Sequence, residues 1–177
     1  MMVARTQRPP PHRLTLAWTS CPVGGALTAW TDEGRLARLD LVSQVQAKAR
    51  ARQWRGAWSA TEWVEGVVPA AHHSALETGA YQAIPLLLCG TQFQTQIWRL
   101  LLKIPHGQTV SYGEIARRLG RPQAARAVGQ AVGRNPIALI VPCHRVIAGH
   151  GGIGGYAGGL PMKRRLLASE GVTIDET

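Results

Sequence analysis

The stretch that decides the fold is SYGEIARRLGRPQAARAVGQAVG, residues 111–133. The pattern S-x-x-E at Ser111 is the capping box that starts a helix, and Gly120 can end that helix in a left-handed conformation. Pro122 can then open a second helix, which we expect to run to about Gly133. Two short helices joined by a tight turn predict a helix-turn-helix, whose second helix often lies against DNA.

Helical signals continue on both sides of this stretch. Thr91 stands three residues before Gln94, which predicts a capped helix with one apolar face that ends at Pro105. On the C-terminal side, Pro161 is predicted to open a helix that runs to Glu170. A carboxylate on the inward face of that helix would need a cationic or protonatable partner. The C-terminal half is therefore predicted to be mostly helical.

The second helix of the helix-turn-helix has an unusual outer face. Arg126 projects from it among small residues, which would let the helix backbone come close to another surface. Against a DNA minor groove, Arg126 could occupy the space that an extruded base leaves in the stack. An alanine-rich helix with a solvated Arg126 is the alternative, and this face alone does not exclude it. The face consists of Gln123, Arg126, Gln130 and Arg134, and the small residues near Arg126 are Ala124, Ala127 and Gly129.

A nucleophilic site is predicted in the string PCHR at residues 142–145, which follows the apolar run Ile137–Val141. A cysteine attacks as its thiolate, and because a free thiol has a pKa of about 8.5, it needs a base or a positive field nearby. His144 is the obvious base. In an extended segment the side chains of Cys143 and His144 would point to opposite faces. We therefore expect a water molecule to bridge them and Glu170 to orient the imidazole.

The N-terminal half is predicted to be a small α+β scaffold. Its runs Leu14–Ser20, Gly25–Trp30 and Arg35–Val42 are separated by turn residues and predict an antiparallel meander. Gln44–Trp54 is predicted to be a polar helix, whereas Arg55–Pro69 shows no clear pattern. A later helix is indicated by the spacing of Leu76, Ala80, Ala83 and Ile84.

We expect three segments along the chain: a disordered leader over 1–13, an N-terminal scaffold over 14–88 and a C-terminal domain over 89–177. The leader is basic and proline-rich and lacks the apolar core of a secretory signal. The chain also has no apolar run long enough to span a bilayer. These features predict a cytoplasmic protein with no membrane partner.

The positive charge is concentrated in the C-terminal half. Residues 1–89 carry nine Lys/Arg against six Asp/Glu, and residues 90–177 carry eleven against four. A basic C-terminal half favours a polyanionic partner such as DNA. If the charge is considered by itself, a solvent-exposed surface without such a partner is the simpler explanation. The three cysteines lie far apart and form no zinc-ligand pattern, so we expect no metal, no cofactor and no disulfide framework.

The combined motifs closely resemble the O6-alkylguanine-DNA alkyltransferase family, over roughly half of the chain from Gly90 to Gly171. PCHRV at 142–146 resembles the active-site motif of that family. Further matches in the same order and spacing are SYGE at 111–114, AARAVG at 124–129, Asn135-Pro136, Tyr156 with Gly158-Gly159, and Leu167 through Glu170-Gly171. The resemblance implies an α+β protein in which a small ribonuclease-H-like N-terminal domain precedes a mostly helical C-terminal domain with a helix-turn-helix.

The resemblance also implies an activity and a role for each matched residue. The protein would flip O6-alkylguanine out of double-stranded DNA and transfer the alkyl group irreversibly to Cys143, as a monomer. Activity on O4-alkylthymine and cooperative binding on DNA stay open. Catalytic roles would fall to Cys143, His144, Glu170, Tyr112 and Asn135, substrate contacts to Tyr156, Ala157, Gly158, Val146 and Lys163, and DNA contacts to Arg126, Ala124, Ala125, Ala127, Gly129, Tyr112 and Arg134.

Some of these implied roles are specific. Tyr112 would crowd the phosphate of the target nucleotide and protonate the departing guanine, and Arg126 would fill the vacated stack. Asn135 would be the hinge between the recognition helix and the active-site strand. Ala157 departs from the family pattern, since many members carry serine there. The contact that the family makes at this position is largely through the backbone N–H, so we expect activity to survive, and an altered substrate preference stays open.

Three other interpretations remain. An alkyltransferase-like binding protein shares the fold and the DNA contacts but lacks the acceptor cysteine, and Cys143 is present. A cysteine hydrolase could use Cys143, His144 and Glu170, but it leaves Arg126 and the helix-turn-helix unexplained. A transcription factor leaves the string PCHR unexplained.

Overall fold

The computed structural model describes residues 4–7, 9–149 and 151–174 of the 177-residue chain, with side chains from residue 9 onward. The chain divides into two compact units. Unit 1 comprises Met1–Gly90 and Pro136–Ala138, and unit 2 comprises Thr91–Asn135 and Leu139–Thr177. Strands and helices are both present, so the predicted α+β class is confirmed.

Unit 1 is built on a six-stranded mixed sheet. Its strands are β1 (Ala4–Gln7), β2 (Arg13–Cys21), β3 (Gly24–Trp30), β4 (Leu36–Leu41), β5 (Glu62–Glu65) and β6 (Leu86–Cys89). The order across the sheet is β1-β6-β4-β3-β2-β5. The predicted meander is confirmed, because β2 pairs with β3 and β3 pairs with β4 in antiparallel register. β5 lies parallel to β2, and β6 lies parallel to both β1 and β4.

Two helices complete unit 1. The first, α1 (Gln44–Ala57), begins at Ser43 with a reciprocal capping box, and α2 (Ala70–Thr78) follows β5. α1 buries one face against the sheet, which extends the apolar core of this unit. That core contains Leu14, Leu16, Leu27, Ala29, Ala37, Ala47, Ala51, Trp54 and Leu87. The other residues of α1 are exposed or, at Arg50 and Arg55, half-buried, as its polar composition predicts.

The disordered leader predicted over 1–13 is corrected at two places. Residues 4–7 form β1, which pairs in parallel with Leu86–Cys89, and β2 already begins at Arg13. Residues 1–3 and 8 lie outside the described residues. β1 forms because β6 offers unpaired backbone groups at the edge of the sheet. The composition of residues 1–13 does not reveal this pairing, because the partner strand, Leu86–Cys89, lies about 80 residues further along the chain.

The helix predicted from Leu76 to Ile84 is wrong beyond Thr78. Gly79 adopts a φ of 82° and ends α2, and residues 81–83 form a short 3-10 turn. Ile84 is buried in extended backbone just before β6. Leu76 and Ile84 are buried in two different elements, whereas Ala80 and Ala83 are exposed, so the four residues do not form one helical face.

The segment Pro136–Ala138 belongs to unit 1, although the flanking residues belong to unit 2. The Leu39 amide donates to the Pro136 carbonyl at 2.9 Å, and the Ala138 amide donates to the Leu39 carbonyl at 2.8 Å. These two backbone hydrogen bonds hold the segment on β4. Ile137 contributes only an isolated bridge, and Leu139 then takes a φ of 69°, so the active-site strand expected after Asn135 is corrected to a turn-rich segment.

Unit 2 is mostly helical, as predicted. Its elements are α3 (Gln92–Leu101), β7 (Val110–Ser111), α4 (Tyr112–Arg118), α5 (Ala125–Gly133), β8 (Val146–Ile147) and α6 (Leu160–Ser169). Thr91 caps α3 with the reciprocal bonds to Gln94 that its sequence predicts. α3 ends at Leu101, before Pro105, because its last turn tightens through 3-10-type hydrogen bonds.

The predicted helix-turn-helix consists of α4 and α5, which pack against each other. Ser111 caps α4 through its hydroxyl, and Gly120 follows α4 with a φ of 70°. Residues 122–124 form a 3-10 turn, so α5 begins at Ala125 and not at Pro122 as expected. The indole of Trp98 on α3 donates to the Ala131 carbonyl at 2.9 Å and fixes α5 against the core of unit 2.

Candidate active site

Cys143 lies at the start of a 3-10 turn, Cys143–Arg145, and is only 7% exposed. The Cys143 amide donates to the Val141 carbonyl at 2.7 Å, which tightens the chain directly before the turn. The extended geometry that we assumed for this string is therefore wrong. In a 3-10 turn successive side chains lie about 120° apart instead of on opposite faces.

The side chain of Asn135 joins the end of α5 to the cysteine. Its amide nitrogen donates to the Val141 carbonyl at 2.8 Å and to Cys143 Sγ at 3.1 Å. The Asn135 backbone amide also donates to the Val132 carbonyl in the last turn of α5. A hydrogen bond donated to sulfur favours the thiolate over the thiol, because it stabilises the charged form.

His144 is 1% exposed and pairs with a carboxylate. Its Nε2 lies 2.8 Å from Glu170 Oε1, and its Nδ1 is buried without a hydrogen-bond partner among the described residues. Burial lowers the pKa of His144 most, the contact with Glu170 raises it, and the charges of Arg145 and Lys163 lower it further. The net shift is downward, which favours a neutral imidazole at neutral pH.

Glu170 follows α6 and accepts hydrogen bonds from three residues. Arg145 donates from Nε to Oε2 and from Nη2 to Oε1, both at 2.8 Å, and the Gly107 amide donates to Oε2 at 3.2 Å. Burial alone would raise the pKa of Glu170, but the hydrogen bonds from Arg145, His144 and Gly107 lower it to about 2. The carboxylate is therefore ionised throughout the physiological range.

Arg145 was missed as a site residue by reasoning from the sequence. The signal was present, since a glutamate on an inward face needs a cationic partner and Arg145 is part of the string PCHR. We assigned that partner to His144 alone. The structure gives Glu170 both partners.

Lys163 on α6 is fully buried, and its ammonium group holds three backbone carbonyls. Nζ donates to Val146 at 2.6 Å, to Ile153 at 2.5 Å and to Gly155 at 3.1 Å. Burial lowers the pKa of Lys163 to about 8, although the charge of Cys143 acts in the opposite direction. These bonds tie the glycine-rich loop after β8 to the strand that follows the cysteine turn.

Tyr112 begins α4 and lies near the same loop. Its hydroxyl donates to the Gly155 carbonyl at 3.4 Å, and a Cβ on Gly154 would come within 3.2 Å of its ring. Burial raises the pKa of Tyr112, and the charge of Cys143 raises it further. The phenol therefore stays protonated at neutral pH and can donate a proton or a hydrogen bond.

A short parallel pair of strands brings Tyr112 and the cysteine turn together. Val110 pairs with Val146 and Ser111 pairs with Ile147, so the start of α4 lies beside the residues that follow Arg145. This pairing joins two strands that are far apart in the sequence. Each strand has only two residues, so an alternation of apolar and polar residues could not predict it.

The residues expected to contact the substrate lie in or beside the loop over 149–159, of which residue 150 is not described. Tyr156 is half-buried, and Ala157 and Gly158 are exposed. A Cβ on Gly158 would lie 2.8 Å from the Tyr156 ring, so glycine gives that ring its room. Val146 is buried, and its carbonyl is one of the three that Lys163 holds.

The residues expected to contact DNA lie on or next to α5. Arg126, Ala127 and Arg134 are exposed, whereas Ala124, Ala125 and Gly129 are half-buried. Val128, Ala131 and Val132 form the buried face of the helix. Arg126 therefore stands on the outer side of the helix-turn-helix.

Cys21 and Cys89 are also free thiols. Burial raises the pKa of Cys21, and burial raises that of Cys89 to about 11, so both thiols stay protonated. Among the described residues, no three side chains of the metal-ligating types come together. In the same part of the chain, no helix has the length and apolar character needed to cross a membrane.

Unit 2 therefore combines a helix-turn-helix, a motif that commonly binds DNA, with a buried cysteine, an amide donor and an imidazole–carboxylate pair. The family model described as the DNA binding domain of 6-O-methylguanine DNA methyltransferase matches residues 92–172. A methylated-DNA–protein-cysteine methyltransferase of Mycolicibacterium paratuberculosis is 52% identical over 120 residues, which cover 63% of this chain and 72% of that protein. The chain therefore belongs to the methylated-DNA–protein-cysteine methyltransferase family.

Two further comparisons agree with this assignment. A methyltransferase of the same name from Mycobacterium leprae is 61% identical over 88 residues, which cover 50% of this chain and 53% of that protein. The match thus spans about half the length of that relative. The crystal structure of Mycobacterium tuberculosis OGT in complex with DNA superposes with a TM-score of 0.71 at 39% identity, covering 88% of this chain and 92% of that chain.

Proposed function

We propose that this protein repairs alkylated DNA by accepting the alkyl group of O6-alkylguanine on Cys143, once per molecule. The observation that carries the proposal is the hydrogen bond from Asn135 to Cys143 Sγ at 3.1 Å, beside the His144–Glu170 pair and in the same unit as the helix-turn-helix. The names of the curated relatives support the reaction, and the M. tuberculosis complex supports DNA as the partner.

The proposed step is an in-line displacement. Cys143 loses its proton to His144 through a bridging water, and the sulfur attacks the alkyl carbon, so that a C–S bond forms while the C–O6 bond breaks. The bonding electrons leave with the guanine, which takes a proton from the Tyr112 hydroxyl, and the proton held by His144 restores that hydroxyl through solvent. The thioether is a poor leaving group, so the protein acts once.

The DNA contacts are part of the same proposal. The target base must leave the duplex before the sulfur can reach it, which costs a few kcal/mol. Arg126 would fill the vacated stack from the exposed side of α5, and the small side chains at Ala124, Ala125, Ala127 and Gly129 would let the helix approach closely. Arg134 would contact the phosphate backbone at the end of this helix.

The pocket for the flipped base is proposed to lie between the cysteine turn and the loop over 149–159. Tyr156 offers a half-buried ring for stacking, and Ala157 and Gly158 offer exposed backbone amides. Lys163 supports the pocket from behind through its bonds to Val146, Ile153 and Gly155. Ala157 has no hydroxyl, so recognition at that position would rely on the backbone.

The test uses a duplex in which a single O6-methylguanine carries a labelled methyl group. Wild-type protein should move the label from DNA to protein in one turnover and leave guanine behind, and Cys143→Ala should bind the same duplex without taking the label. Repeated turnover with release of a small product would favour the cysteine hydrolase. Binding without transfer by the wild-type protein would favour an alkyltransferase-like binding protein or a transcription factor.

Alkylation should destabilise the protein. A thioether accepts the hydrogen bond from the Asn135 amide more weakly than a thiolate does, and it adds at least one carbon to a site that is 7% exposed. Overpacking typically costs about 1–3 kcal/mol, which corresponds to a fall in Tm of roughly 2–12 °C for a chain of this size. Thermal melts of methylated and unmethylated protein at equal concentration measure the difference. An equal or higher Tm for the methylated protein would contradict this prediction.

The remaining parts of the proposal concern organisation. We propose that unit 1 is ribonuclease-H-like, supported by its antiparallel meander followed by a strand that lies parallel to the first strand of that meander. The functional boundary near residue 89, action as a monomer without a cofactor, and a cytoplasmic location are also proposed. The location is supported by the DNA substrate and by the need for a reduced thiol at Cys143.

A further inference from the structure

Arg145 makes three side-chain hydrogen bonds in the candidate active site, although we assigned it no role there from the sequence. All three of its guanidinium nitrogens donate: Nε and Nη2 to the two oxygens of Glu170, and Nη1 to the Ile104 carbonyl at 2.6 Å. The Arg145 side chain is 15% exposed and the Glu170 side chain 8% exposed, so this ion pair is poorly screened by solvent. A forked contact of this kind fixes both the position and the plane of the carboxylate.

We propose that Arg145 is a positioning residue for alkyl transfer: it fixes Glu170 so that His144 stays neutral, with its proton on Nε2 and its Nδ1 free to act as the base. This inference rests on the proposed function, and it adds to it a residue whose effect on Cys143 is exerted entirely through Glu170 and His144.

The hydrogen-bond pattern leads to this tautomer. Glu170 is ionised and can only accept, so the 2.8 Å contact between Oε1 and His144 Nε2 requires the proton on Nε2. In a neutral imidazole Nδ1 then carries the lone pair, and this atom has no hydrogen-bond partner among the described residues. If Glu170 were free to rotate, this tautomer would lose its support.

The charges around His144 act in the same direction. Glu170, which follows α6, favours an imidazolium, whereas Arg145 on the same turn and Lys163 on α6 oppose it. Cys143 lies next to His144 in the turn, and His106 lies exposed beside Gly107 in the turn that donates to Glu170. Because Arg145 donates to both oxygens of Glu170 and its charge opposes an imidazolium, the carboxylate can orient the ring without holding a second proton on it.

An arginine is required for this arrangement. The contacts to Glu170 and Ile104 use three nitrogens in one rigid plane, and a lysine has only one nitrogen. Arg145→Lys should therefore keep the charge but lose the orientation, whereas Arg145→Gln should lose both. Arg118→Gln is the matched control, because it removes a cation from an exposed pair with Glu114 on α4.

The test measures His144 directly by NMR of protein labelled in its imidazole nitrogens. The wild-type ring should be neutral at pH 7 with its proton on Nε2, and Arg145→Gln should raise the pKa of His144. A wild-type imidazolium at pH 7, or a proton on Nδ1, overturns the proposal without any variant. An unchanged His144 pKa in a folded Arg145→Gln protein also overturns it.

Reactivity is measured with two reagents. Iodoacetamide reports on the Cys143 thiol without DNA, and free O6-benzylguanine reports on transfer. With Arg145→Gln both rates should fall by about 10- to 100-fold, the same range as when a metal-binding histidine loses the partner that orients its ring. Their pH profiles should shift, Arg145→Lys should recover only part of the loss, and Arg118→Gln should match wild type.

These outcomes keep the two proposals apart. If wild-type protein fails to take a methyl group from duplex DNA while the iodoacetamide rates and the His144 signals behave as expected, the proposed function fails and the role of Arg145 stands. If wild-type transfer succeeds and Arg145→Gln lowers only the thermal stability, with unchanged pH profiles, then Arg145 is merely structural and the inference is wrong.

Discussion

Replacing Arg126 by alanine should slow transfer from O6-methylguanine in duplex DNA by on the order of 100-fold, because extruding a base costs a few kcal/mol and the arginine would offset part of that cost. Transfer from free O6-benzylguanine should change little, since no base pair has to open. Arg126 lies exposed on α5, so its loss should leave the fold intact. Single-turnover rates on both substrates give the ratio that tests this role.

Two variants act as controls for Arg126. Gln130→Ala removes an exposed uncharged side chain from the same face one turn further along α5 and should leave both rates near wild type. Arg126→Lys keeps the charge but loses the planar group that can stack, so it should recover DNA affinity better than transfer rate. Equal losses on duplex and free base would mean that Arg126 supports the fold instead of the flipped state.

Replacing Glu170 by glutamine should reduce both the transfer rate and the stability. The variant leaves Arg145 largely buried without its carboxylate, and breaking a buried pair in this way typically costs about 3–5 kcal/mol. His144 also loses the anion that orients it, so the reaction of Cys143 with iodoacetamide should slow and its pH profile should change. DNA affinity should stay near wild type, because the Glu170 side chain is buried and its hydrogen bonds join it to Gly107, His144 and Arg145, none of which lies on α5.

The pH dependence gives a second measure of Glu170. Its pKa in the folded protein is about 2, below its ordinary value of 4.5, so it stabilises the fold fully above pH 4.5 and loses this effect as the pH falls toward 2. In the Glu170→Gln variant, the free energy of unfolding should therefore fall less between pH 4.5 and pH 2 than it does in the wild-type protein. The matched control is Glu114→Gln, which breaks the exposed pair with Arg118 and should change stability by less than about 1 kcal/mol. If Glu170→Gln shows the same loss of stability at acid pH and the same pH–rate profile as the wild-type protein, then Glu170 has no part in the proposed mechanism.

Helices with local start and stop signals were predictable from the sequence. The capping box at Thr91 forms as expected, and Gly120 takes the left-handed conformation that ends α4. The meander of β2, β3 and β4 was predictable too, because a glycine marks each connection: Gly24 begins β3 directly after the first turn, and Gly34 lies in the second turn with a φ of 72°. In each case the determining interactions lie within a few residues of one another.

Features that depend on distant partners were not predictable. β1 exists because β6 provides an edge, and residues 136–138 leave unit 2 because Leu39 provides backbone hydrogen bonds. The resemblance led to the choice of Cys143, His144 and Glu170, but the hydrogen bonds of Arg145 join residues 25 and 41 positions away. The 3-10 turn at Cys143 likewise depends on tertiary context that three residues do not encode.

The most direct test of the whole account is peptide mass mapping after reaction with an excess of duplex that contains O6-methylguanine. The chain offers three free thiols, and burial raises the pKa of two of them, Cys21 and Cys89. The account predicts one methyl group per molecule, carried by the peptide that contains Cys143, with no further transfer on longer incubation. Label on Cys21 or Cys89, or more than one methyl group transferred per molecule, would contradict it.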